Sequence, residues 1–259
     1  MTKEVETVLD TSRELKRGDK FCFSCVPQKE CFTQCCYDLT LMLMPYDIYR
    51  LKKALNMTSR AFLDTYTSVH VGPGTGVPVV TMRMEGAYLK CPFLKEGQGC
   101  TVYDARPGAC RSYPLARIAH RRGETGQVEE YFYIVRESDC RGFRDCRNWT
   151  VDEWIAHEGL EDYNEFNDLF SELIHAKTMA GVGQLDADQI EIFYMGCYDL
   201  DSFRDYFLKG PNLDRYMEDE DVIRRIEEDE LELLRYGLEW VRKKLFQGGV
   251  CFACGSGQG

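Results

Sequence analysis

The sequence predicts an α+β protein, with a small cysteine-rich domain built on short β-hairpins followed by a mostly helical C-terminal part. Three observations predict it. Ten of the thirteen cysteines precede residue 147, and strand-and-turn patterns rich in Gly and Pro alternate with them. Beyond residue 149, apolar residues recur at helical spacing. The expected organisation is a cysteine-cluster domain over residues 1–148, a helical region over 149–246 packed on it, and a Gly-rich CxxC tail over 247–259.

Taken in order, PYDIYRLKKALNM reads as a helix with Ile48, Leu51 and Leu55 on one face, and TSRAFLDTY as a second helix starting at Thr58. VGPGTGVPVVTMRM is a Gly/Pro loop entering a strand. Its Gly72, Gly74 and Gly76 do not suit phosphate, because nucleotide-binding glycines follow a strand and open a helix. In CPFLKEGQGCTVY two short strands flank a Gly-containing turn, with Cys91 and Cys100 expected at the strand starts. In DARPGACRSYP, Pro107 suits a first helical position and Pro114 forbids continuation, so Cys110 falls in a single short helical turn.

LARIAHRRGETGQVEEYFYIV reads as a hairpin turning at residues 122–126, with Arg117, Arg121 and Arg122 as a solvated tip. Thr150 with Glu153 forms a capping box that opens a helix through an exposed His157. Helical patterns follow in LEDYNEFNDLFSELIHAKTM, DADQIEIFYMGCYDL and LDSFRDYFL. A long terminal helix is expected from about Asp219 to Phe246, its stripe of Ile223, Ile226, Leu234, Leu238, Val241 and Leu245 opposed by Glu227, Glu228 and Glu232. In the tail GGVCFACGSGQG the glycine density excludes a packed helix, so Cys251 and Cys254 are expected on a mobile arm.

A hydrophobic content of 44% supports a packed core. The net charge of −11 repels phosphate backbones and anionic lipid heads, so neither nucleic acid nor membrane is expected as a partner. A protein partner remains open. The charged start of the chain has no stretch of signal-peptide character, and no segment approaches the run of about 18 apolar residues needed to span a bilayer. A cytoplasmic protein with reduced thiols is expected, which disfavours a disulfide framework.

The cysteines are grouped. Cys22, Cys25, Cys31, Cys35 and Cys36 fall together; Cys91, Cys100 and Cys110 form a second group; Cys140 and Cys146 form a third. An isolated cysteine such as Cys197 reads as core packing. Grouping calls for another cause, and metal ligation supplies one, because zinc and iron–sulfur clusters are held by several thiolates converging on one point. None of the four histidines lies within a cysteine run, so an all-sulfur ligand set is expected, and soft donors point to zinc or iron–sulfur.

Cys31 and Cys35 are four residues apart and would share a face on one helical turn, whereas Cys36 would point about 100° away from Cys35. The adjacent pair would then serve two metals. With Cys25, Cys91, Cys100, Cys110 and Cys140 the count reaches eight, enough for two four-sulfur sites or one larger cluster. Arg106, Arg111 and the start of the helical turn should favour the Cys110 thiolate.

The run FSCVPQKECFTQCC, the following LTLMLMPYDIYRLKKAL, then CPFLKEGQGCTVYDARPGACRSYPL and DCRGF before WTVDEW resemble a family of cysteine-cluster proteins. These are described as zinc- or iron-chelating, of CxxCxxCC type, and are also called YkgJ-like. The resemblance covers residues 21–175. It implies Cys25, Cys31, Cys35, Cys36, Cys91, Cys100, Cys110 and Cys140 as metal ligands, with Cys22 and Cys146 as extras. This chain departs from the family's first motif, having five residues between Cys25 and Cys31 and three between Cys31 and Cys35.

The leading expectation is a metal-binding cysteine-cluster protein that holds iron–sulfur, a [4Fe–4S] cluster before zinc, with an electron-transfer or redox role. The alternatives are a zinc-chelating structural or interaction protein, and a transferase resembling protein lysine N-methylases. A related branch, the flagellin lysine methylases, implies the last of these, although the chain has no recognisable glycine motif for a nucleotide or methyl donor.

Overall fold

A computed structural model describes residues 7–121, 128–210 and 218–247. With 46% helix and 23% strand, all strand pairs antiparallel, the chain is an α+β protein with a helical C-terminal part.

The strands are short because turn residues interrupt them. β1 (Thr7–Leu15) leads into β2 (Lys20–Phe23), whose Phe21 and Phe23 are buried while Cys22 between them faces the other way. β3 (Met42–Leu43) precedes α1 (Pro45–Ala54), where Pro45 occupies the first turn and needs no intrahelical donor. The carboxylate of Asp47 accepts the Met44 N–H at 2.8 Å and closes the start of that helix. α2 (Ser59–Tyr66) begins as expected at Thr58, whose hydroxyl accepts the Ala61 N–H. β4 (Thr67–Val71) and β5 (Pro78–Met82) follow, and with β3 they form a sheet in the order β3-β5-β4.

The second cysteine group forms the hairpin β6 (Leu94–Lys95) and β7 (Gly99–Cys100). Cys91 precedes its strand and Cys100 ends one, so neither sits at a strand start. α3 (Gly108–Ser112) is the short turn expected around Cys110, with Pro107 as its cap. β8 (Leu115–Arg121) and β9 (Val128–Glu137) form the predicted hairpin, and β1 adds to β9 in the order β1-β9-β8. Phe132 and Ile134, two apart on β9, face the core.

The hairpin turn at residues 122–127 lies outside the described residues. Arg117 corrects the expectation of a solvated tip. It pairs through both Nη atoms with the Asp168 carboxylate (2.6 and 2.8 Å) and through Nε with Glu130 (2.7 Å), tying the sheet to a helix. Sequence places Arg117 beside two other cations; folding brings it opposite carboxylates from two separate elements.

β10 (Arg147–Thr150) pairs with β2, and the capping box at Thr150 and Glu153 opens α4 (Val151–Glu158). α5 (Glu161–Met179), α6 (Ala187–Cys197) and α7 (Leu200–Arg204) follow, the last running on as a wide turn through Lys209. The expected long terminal helix is two helices, α8 (Glu220–Glu228) and α9 (Glu230–Arg242). Asp229 breaks it. Its extended backbone (φ −123°, ψ 115°) stops the first ladder, and its carboxylate accepts the Leu231 N–H at 2.8 Å to start the second.

One hydrophobic cluster runs from Leu15 to Val241 and takes residues from both sides of position 148. At its helical end, Gly196 of α6 faces Gly237 of α9 so closely that a Cβ on Gly237 would lie 2.4 Å from the Gly196 carbonyl oxygen. Among the described residues no helix is long and apolar enough to cross a membrane. The tail bearing Cys251 and Cys254 lies outside the described residues.

Candidate metal centre

The three cysteine stretches meet. After β2 the chain turns on itself by successive three-residue closures, with hydrogen bonds from Phe32 N–H to Lys29 C=O, Gln34 N–H to Cys31 C=O and Cys36 N–H to Thr33 C=O. Thr33 has a left-handed backbone (φ 68°) and Gln34–Cys36 form a 3-10 turn. Cys31 and Cys35 therefore do not share a helical face, which corrects the spacing argument. The cause is the backbone reversal at Thr33.

Two contacts bring the other stretches to this turn. The Cys91 N–H donates to the Cys36 carbonyl at 2.8 Å, docking the second group on the first. The Arg141 N–H donates to Cys31 Sγ at 3.1 Å, docking the third. Cys110, on α3, lies near Cys35, Asp47, Cys91 and Cys100, which add to the effect of its burial in raising its pKa. All eight sequence-assigned cysteines are free thiols. Beside Cys31 opens a cavity of about 150 Å³ lined by Glu30, Gln34, Asp139 and Arg141.

Cys22 and Cys146 are joined by a disulfide between β2 and the residue before β10, with Cα atoms 5.5 Å apart. This corrects the expectation that every thiol is reduced. Strand pairing places the two sulfurs together across 124 residues, which no local spacing could reveal. The same pairing gives a role to the two cysteines that stood outside the eight candidate ligands as extras. Cys197 is fully buried, as core packing requires.

The electrostatics are those of sulfurs crowded together. Desolvation, then the neighbouring Cys35, Cys140 and Cys31 sulfurs, push the Cys25 thiol up to about 11. Burial, followed by Cys35, pushes Cys110 up to about 12. The expected thiolate at Cys110 is thereby corrected, since desolvation outweighs anything a five-residue helix and two arginines contribute. Cys91, Cys100 and Cys140 are raised chiefly by burial. Cys35 alone moves down, to about 7, because the Cys36 thiol donates a hydrogen bond to it, and Cys36 rises in consequence.

Three backbone N–H groups partly oppose this rise. Phe93 donates to Cys91, Val102 to Cys100 and Gly142 to Cys140, each two residues after its sulfur. The Tyr113 hydroxyl also donates to Cys140. Such donors offset charge on a metal-bound thiolate. Arg106 lies near enough to favour the thiolates of Cys25, Cys35 and Cys100 while holding Glu158 at 2.7 Å. Arg111 is spent on the carbonyls of Asp104, Arg106 and Glu158.

The donor set fits a thiophilic metal. It offers eight soft sulfurs, four of which accept backbone N–H bonds. Among the described residues no three His, Cys, Asp or Glu side chains already stand as the ligands of a single ion. Chelation must displace thiol protons, so affinity should rise with pH between about 6.5 and 8.5. Metal titrations across that range should show proton release, and a pH-independent affinity would contradict the thiol assignment.

Sequence reasoning missed Tyr113 and the backbone donors, because an N–H two residues beyond a cysteine is present at every cysteine, and only loop geometry aims it at sulfur. No curated protein and no solved structure matches the chain. Residues 24–141, which contain all eight of these cysteines, match the model of the CxxCxxCC family, described as a "putative zinc- or iron-chelating domain".

Proposed function

We propose that residues 24–141 hold iron–sulfur, of [4Fe–4S] type, on the thiolates of Cys25, Cys31, Cys35, Cys36, Cys91, Cys100, Cys110 and Cys140, and that the protein serves electron transfer or another redox task. The observation that carries this reading is the meeting of thiols from three distant stretches at a turn where backbone N–H groups point to sulfur. A cubane spreads four thiolates over four corner irons, and eight thiols suffice for two. When bound, such a cluster supplies one-electron transfer.

The protein's own residues would tune it. Tyr113 and the three i+2 backbone donors place positive dipole ends on thiolate sulfur, and Arg106 adds a full charge nearby. A reducing compartment such as the cytoplasm suits these eight free thiols, and the Cys22–Cys146 disulfide is the exception to that pattern. With a net charge of −11 the partner in this reading is another protein, not nucleic acid or a membrane surface.

Anaerobic expression followed by visible absorbance, metal analysis and acid-labile sulfide analysis tests the proposal. Brown protein with iron and sulfide is expected. Colourless protein with stoichiometric zinc and no sulfide would overturn it in favour of a structural zinc domain, whose unfolding by chelator would then be measurable.

A further inference from the structure

We propose that the segment carrying Cys110 is set in ligating position by a polar clamp, with Asp47 and Glu158 as its positioning residues. The inference rests on the reading of Cys110 as a metal ligand. α3 has only five residues, with the Cys110 and Arg111 N–H groups closing onto the Pro107 carbonyl at its start, and a helix of that length is too short to hold itself. What holds it comes from elsewhere in the chain.

On one side stands Asp47, 2% exposed, in the first turn of α1. One carboxylate oxygen accepts the Gly108 N–H at 2.7 Å and the other the Met44 N–H at 2.8 Å, so the cap of α1 and the start of α3 share one side chain. Gly108 is packed against it, and a Cβ there would lie 3.2 Å from the Tyr163 ring and 3.6 Å from Asp47 Oδ1. On the other side stands Glu158, 7% exposed, at the end of α4. Its carboxylate holds Arg106 at 2.7 Å and its carbonyl accepts Arg111 Nη1 at 2.5 Å.

Tyr163 of α5 donates to the Arg106 carbonyl at 2.9 Å, and Trp154 of α4 donates to the Ser112 carbonyl at 3.1 Å. Cys110 is thus fastened two residues before it, one residue after it and at Ser112. Three of the fastening residues, Trp154, Glu158 and Tyr163, lie beyond the matched stretch 24–141. The C-terminal helices are therefore part of what shapes the site. Buried carboxylates are costly unless fully hydrogen-bonded, and these two are given to the segment that carries Cys110.

The test uses the full-length chain with Asp47→Asn and Glu158→Gln. Asparagine retains one acceptor oxygen but presents N–H groups where the second acceptor stood, and glutamine loses the charge that holds Arg106. Maleimide labelling of each cysteine, read by peptide mass spectrometry, is compared with iron and sulfide content and with metal affinity. Cys110 should label faster in both variants while buried Cys197 stays protected, and metal affinity should fall on the order of 10- to 100-fold.

Unchanged Cys110 labelling together with unchanged affinity would overturn the clamp. Parallel labelling of Cys110 and Cys197 would also overturn it, because the variants would then have loosened the whole fold. Full metal content in Cys110→Ser would defeat the ligand reading instead, and that result is independent of the labelling pattern.

Discussion

Replacing Cys110 or Cys36 by serine is expected to strip the protein of much of its metal, whereas Cys197→Ser leaves the metal content unchanged. Serine offers a hard oxygen that remains protonated near neutral pH, a poor substitute for thiolate toward iron or zinc. Cys36 and Cys110 lie within the same crowd of sulfurs, each raised by Cys35 and Cys91. Removal of either should weaken binding by more than the roughly 10- to 100-fold that loss of an outer hydrogen-bonding partner costs.

Cys197 is buried in the helical core and its thiol is raised by desolvation alone. Serine there leaves a hydroxyl without a partner and should cost about 1–3 kcal/mol of stability. Metal per chain by elemental analysis and the urea midpoint together separate the two outcomes. Equal metal content in all three variants would sink the ligand assignment.

Gly237→Ala should destabilise the helical part by about 3 kcal/mol, at the upper end of overpacking costs. In an exposed helix the same change gains about 1 kcal/mol. Here the new methyl would meet the Gly196 carbonyl oxygen at 2.4 Å and the Phe203 ring at 3.2 Å. The first of these neighbours is backbone, so α6 and α9 must separate, and the clash outweighs the propensity gain. A drop of several degrees in melting temperature is expected for a chain of this size. A raised melting temperature would show that the two helices do not cross backbone to backbone. Metal content should be unaffected, because this crossing contributes no sulfur.

Much of the local structure could be read from the sequence because its causes lie within a few residues. Thr58 and the Thr150/Glu153 pair announce helix starts, and the two strand-like halves of LARIAHRRGETGQVEEYFYIV announce a hairpin. The break at Asp229 was missed because a continuous apolar stripe fits one long helix as well as two short ones. Asp229 decides between them only through the backbone angles it adopts in the fold. The same holds at Thr33, where a left-handed residue turns an apparent helical spacing of cysteines into a tight turn.

The site divides in the same way. Sequence alone determined that ten cysteines fall in three groups with no histidine inside a run, and the family resemblance singled out eight of them as candidates, since composition and grouping are properties of the chain as written. Tertiary structure alone decided that Cys22 takes Cys146, that Arg117 takes Asp168, that Asp47 reaches Gly108, and that the Cys110 thiol is raised and not lowered. Hydrogen bonds, ion pairs and desolvation act over a few ångströms, so they depend on which distant residues folding makes neighbours, and separation along the chain carries no record of that.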